Sequence, residues 1–192
     1  MSSYGILVFL HIVGSVGLFA AIGLEWAGHY HLGRSLTFAN ARQWLRFLAP
    51  IPLVGIPSMV TVLVTGIAMM STRWGAQPWM AVSFLAMIAI AVLGGAGSQR
   101  QLKRLAGAVG TEQGPISRAV AELLEDRVLA ASTWVRTALA LGIVFLMTVK
   151  PGAVGSSVVM GVALALGLVA AWEPWRRGRR PALEEVRRTD VM

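Results

Sequence analysis

One imidazole lies deep inside an uncharged stretch. His11 stands in YGILVFLHIVGSVGLFAAIGLEWAG, Tyr4 to Gly28, where the twenty residues Gly5 to Leu24 carry no formal charge. A helix of that length, at about 1.5 Å per residue, spans the hydrocarbon core of a bilayer. His11 then lies about seven residues, or roughly 10 Å, from the outer end of the span. An ionisable group at that depth is costly, which makes it a functional or crosslinking position by default. Measured from the same membrane surface, Thr65, Ser83, Met80, Met147 and Met160 fall in the same layer, with Met69 and Met70 just outside it. Ser15 shares the His11 helix face, and Ser58, Thr61 and Thr65 form a helical stripe. Imidazole and thioether are the axial ligands of b- and c-type haems, and thioethers also suit Cu(I). Three uses of His11 remain open. It ties helices together through Thr65, Ser83 or a carbonyl freed near Pro57. It ligates haem or a metal, with a methionine such as Met80 or Met160 opposite. Or it handles a proton or a substrate.

The other polar groups near the spans carry weaker signals. Glu25 ends the first span and can pair with Arg136 or another cation at that boundary, while Arg136 itself is expected to snorkel to the interface. His29 and His31 diverge on a helix, so they cannot chelate without unwinding and read as residues near the headgroups. The methionines serve either as pliable packing or as ligands, and the hydroxyl stripe as interhelical glue or a pore lining. No phosphate-binding loop, HExxH, Gly-x-Ser-x-Gly or pair of buried carboxylates occurs. Hydrolase and ATPase chemistry therefore has no residues to carry it, and a proton pump needs more titratable groups within the membrane. With no Cys, thiol catalysis, disulfides and iron–sulfur clusters are excluded.

The elements that position these residues follow from composition. Hydrophobic residues make up 56% of the 192 and charged residues only 14%, against about a quarter charged in soluble domains. Mean hydropathy is +0.67. Such a chain needs lipid as solvent. The expected fold is an all-α polytopic membrane bundle of five spans: roughly 4–28, 48–70, 78–97, 132–149 and 154–172, with a basic tail over 173–192. The first span lacks the leading cation of a signal peptide and is too long for one, so it reads as a retained helix.

Orientation follows from Lys and Arg. Of the seventeen such residues, fifteen fall on the side of the loops after spans one and three and of the tail, and only Arg73 and Lys150 on the other. The N-terminus is thus expected outside and the C-terminus in the cytoplasm. The net charge of +8 is accounted for by this flanking pattern, which argues against nucleic acid as a partner. Trp74 and Trp79 fall at the outer boundary; Trp26, Trp44, Trp134, Trp172 and Trp175 fall at the inner one. On the basic side, Asn40 to Leu48 reads as a short interfacial helix, with Trp44, Leu45, Phe47 and Leu48 as its apolar face. Pro115 is placed to open a helix through Glu122, Glu125 and Arg127 into span four, with an Arg118–Glu122 pair. The tail WRRGRRPALEEVRR either lies on anionic lipid or only enforces topology. The small pair Gly17 and Ala21 invites another helix.

The stretch LHIVGSVGLFAAIGLEWAGHYH resembles the first helix of a bacterial group. That group includes copper-resistance D-like membrane domains, HemJ-type protoporphyrinogen oxidases and several predicted integral-membrane families. The shared features are a Leu-His opening, small residues in mid-helix and a His at the far end, here His11 and His29 or His31. The third span running into QRQLKRL is also similar, as is TWVRTALALGIVFLMTVKP with Arg136 and its closing Lys150-Pro151. In HemJ-like members, the resemblance implies, a first-helix His and a third-helix Lys serve haem b and oxidase chemistry. Here the third span, MAVSFLAMIAIAVLGG, has neither Lys nor His. The catalytic pair does not carry over, and only His11 transfers, as an axial ligand.

The expected protein is a multi-pass bacterial inner-membrane protein, haem-binding or redox-linked through His11. A small copper or solute transport subunit and an accessory subunit packed against a membrane partner or a second copy are the alternatives.

Overall fold

A computed structural model describes residues 3–124 and 127–176. Five helices long and apolar enough to cross a membrane are present, as the charge pattern requires. The first, α1 (Ser3–Leu32), has 30 residues and so reaches about 45 Å, longer than a hydrocarbon core. Helix α2 (Phe38–Leu48) follows a short turn and is capped by Thr37, whose hydroxyl accepts from Asn40 N–H at 3.2 Å. Pro52 then opens α3 (Pro52–Met69), where its missing N–H costs nothing. A π-helical turn, Met70–Trp74, extends α3. Helix α4 (Pro78–Val92) passes through a second π turn, Leu93–Ser98, into α5 (Gln99–Val109). Helix α6 (Arg118–Leu124) precedes α7 (Arg127–Val149) and α8 (Ala153–Arg176).

Glycines decide which helices lie closest. A Cβ on Gly14 would stand 3.0 Å from a Val62 methyl and 3.1 Å from the Ser58 carbonyl, and one on Gly17 would collide with the Ser58 hydroxyl. Only residues without a side chain let α1 and α3 approach so closely, which is how small residues drive association in lipid. The core inside the bundle comprises Leu18, Ile22, Val62, Met87, Ile90, Leu139, Ile143 and Leu146, from α1, α3, α4 and α7. Apolar residues also cover the outside: Phe9 is 64% exposed, Leu53 76% and Val154 79%. These side chains face lipid.

A second apolar cluster lies on the basic side. Leu32, Phe38, Ala41, Leu48, Leu105, Val109, Ile116 and Val120 join the end of α1 to α2, α5 and α6. The helix expected over 40–48 is present as α2, and it packs inward through Phe38, Ala41 and Leu48. Pro115 does not open a helix. It pairs with Thr37 in an isolated antiparallel bridge, flanked by Phe38 N–H to Gly114 carbonyl and Ile116 N–H to Leu36 carbonyl bonds. Helix α6 starts three residues later, and Glu125 lies outside the described residues. Arg118 and Glu122 do pair, at 3.3 Å, on an exposed face. The basic tail beyond Arg176 and its expected lipid contact lie outside the described residues.

Candidate functional site

Near the sparsely charged surface, α1, α3, α4 and α7 line a half-open cavity of about 760 Å³, with Leu85, Ile67 and Phe84 on its outer, exposed side. Ligand pockets run from about 300 to 1,000 Å³. Its walls are apolar and rich in thioether: Met69, Met70, Met80, Met87 and Met147 all line it. His11 and Ser83 line it from α1 and α4, and Tyr4, Gln77 and Lys150 lie at its membrane-surface end.

The ring of His11 is held from one side. Its Nδ1 lies 2.9 Å from the Thr65 hydroxyl. That hydroxyl has one proton, which it donates to the Thr61 carbonyl at 2.6 Å. Thr65 must therefore accept from His11, and we assign the proton to Nδ1. Gly66 clears space beside the ring: a Cβ there would lie 3.5 Å from His11 Cε1. With the proton on Nδ1, the second nitrogen, Nε2, keeps its lone pair, and the side chain lines the cavity. Metal-ligating histidines are oriented in the same way, by a hydrogen bond from the nitrogen that does not bind the metal.

The other expected residues separate into two groups. Met80 and Ser83 share the cavity with His11, and Met147 joins them. The Ser83 hydroxyl donates to the Trp79 carbonyl at 2.8 Å, and Ser15 donates to the His11 carbonyl at 2.8 Å. Thr61 contributes only its carbonyl, to Thr65. Met160 is not in the cavity wall. It is buried on the seam of α7 and α8, its sulfur 2.9 Å from where a Gly142 Cβ would be.

A second polar centre lies about 20 Å further along α1. Glu25 and Arg136 form an ion pair, with side chains 15% and 6% exposed. Arg136 thus does not snorkel. The π turn at Leu93–Ser98 opens a notch for it, where a Gly94 Cβ would lie 3.1 Å from the guanidinium, and its Nε donates to the Ser132 carbonyl at 3.3 Å. Nearby, Ser132 donates to the Leu93 carbonyl at 3.0 Å, and Trp26 donates to Thr137 at 3.0 Å while meeting Trp134 edge-on. His29 is half-buried rather than fully on the surface. Its Nδ1 lies 3.1 Å from the Thr133 hydroxyl, and its buried Nε2 has no partner among the described residues. His31 stacks on Trp44 with ring centroids 4.4 Å apart. Among the described residues, no three His, Asp or Glu side chains group as a metal site. No protein-family model, curated protein or solved structure matches this chain.

Proposed function

We propose that this multi-pass membrane protein binds haem b, or an equivalent redox-active macrocycle, in the cavity between α1, α3, α4 and α7, where His11 Nε2 would hold its iron. The observation carrying this reading is the anchored ring: Thr65 takes the Nδ1 proton, and the remaining lone pair belongs to a side chain that lines a large apolar cavity. Met80 or Met147 would offer a thioether to the same group, since both line the same space. Met160 does not take that part, because it packs between α7 and α8. The residues fit the group: nitrogen and sulfur donors, apolar walls and no cysteine. When bound, haem supplies one-electron chemistry. This chain's own residues orient the imidazole, exclude water and hold the ligand in the half of the bilayer near the N-terminus. By the distribution of Lys and Arg, that half faces outward from a bacterial inner membrane, with the C-terminus cytoplasmic.

Absorbance of the purified protein, oxidised and then reduced, tests this. A Soret band that shifts on reduction and is lost in His11→Ala is the expected result. One specific observation favours a second reading: five methionines line the cavity beside His11, a donor set that suits Cu(I). Stoichiometric Cu(I) binding without any Soret band selects that reading.

A further inference from the structure

The Lys and Arg count leaves two exceptions. Arg73 and Lys150 are the only basic residues on the sparse side of the membrane, against fifteen on the other. They come from different parts of the chain, Arg73 from the π turn that extends α3 and Lys150 from the corner between α7 and α8. Both come to the same cavity, Lys150 in its wall and Arg73 behind one of its wall residues, Tyr4, with the guanidinium 4.9 Å over the Tyr4 ring. Lys150 occupies the sharp corner before α8 with φ +53°, a left-handed conformation that side chains rarely adopt. Topology does not call for cations here, since basic residues on this side oppose the charge asymmetry that orients the chain.

We propose that the mouth is a carboxylate seat: the cavity takes an amphiphile whose acidic end lies between Arg73 and Lys150 and whose apolar body points inward to His11. This rests on the haem reading for the identity of the ligand, whose acidic end is then the two propionates. Its physical basis does not depend on that reading. A cavity apolar in its depth and cationic at one end orients any amphiphilic acid the same way. Cations at a rim set orientation and encounter more than affinity, so each contributes about threefold and the two together about tenfold.

The test titrates the purified full chain, in detergent, with hemin and with hemin dimethyl ester. The wild-type protein is expected to prefer the free acid about tenfold. The Arg73→Gln/Lys150→Asn variant should lose that preference and keep the His11-dependent Soret position. Asn suits the left-handed corner, and an Arg73→Lys/Lys150→Arg variant should restore the preference. Equal binding of acid and ester by wild type, or a preference that survives neutralisation, overturns the carboxylate seat while leaving the haem reading standing. If neither form gives a His11-dependent band, the haem reading fails. A fluorescent long-chain fatty acid and its methyl ester then decide the seat: acid preference lost on neutralisation supports it, and equal binding overturns it.

Discussion

Replacing Arg136 by Met leaves Glu25 as an uncompensated charge inside the bundle. Both side chains are shielded, at 6% and 15% exposure, so the loss is that of a buried pair, about 3–5 kcal/mol. An exposed pair such as Arg118–Glu122 would lose at most about 1 kcal/mol. The difference is large enough to decide between a buried and a snorkelled Arg136. At about 1.4 kcal/mol per decade, the folding equilibrium should move by two to four orders of magnitude. Arg136 also donates to the Ser132 carbonyl, so part of the loss belongs to that bond, and a double-mutant cycle separates it. Glu25→Gln with Arg136→Met removes both charges and should recover most of the stability. Reversible unfolding in mixed micelles, followed by circular dichroism, reads all four proteins. A single-variant loss below about 1 kcal/mol, or a double variant as unstable as the sum of the singles, refutes a desolvated, coupled pair.

Further expectations concern the cavity and the helix contacts. Thr65→Val removes the acceptor of the His11 Nδ1 proton, and ligand affinity should fall about 10- to 100-fold, read by titration of the apo protein, while fold stability drops by only about 1 kcal/mol. Met80→Leu should alter the reduced spectrum if Met80 is the opposite ligand, whereas Met160→Leu should not, since Met160 packs against Gly142. Gly17→Ile places a branched side chain where Ser58 already sits. It should separate α1 from α3 and abolish the folded monomer in size-exclusion chromatography, whereas Gly23→Ala, which meets nothing, should be neutral.

The spans are legible in the sequence because each is a long apolar run bounded by charge, a one-dimensional property. The Arg118–Glu122 pair is legible for the same reason, since i and i+4 meet on any helix. The partners of His11 can be narrowed by depth alone, and Thr65 lies within that set. Depth does not give azimuth, however. Met160 lies at the right level but belongs to the α7–α8 seam. Arg136 reads as an interfacial cation because its side chain is long. Its burial depends on the Leu93–Ser98 π turn, which a glycine-rich segment permits but does not announce. His29 is half-buried for a related reason: Thr133 comes from a helix more than a hundred positions away, and no local pattern reports it. Pro115 misleads because proline suits both a helix start and an extended pairing, and Thr37 selects the second.

The most direct measurement is the absorbance spectrum of the full chain, purified after haem-replete expression, before and after dithionite. A His11-dependent Soret band that moves on reduction, weakened in Thr65→Val, is what an anchored imidazole beside a 760 Å³ cavity predicts. A flat visible spectrum in wild type that stays flat after hemin is added contradicts it.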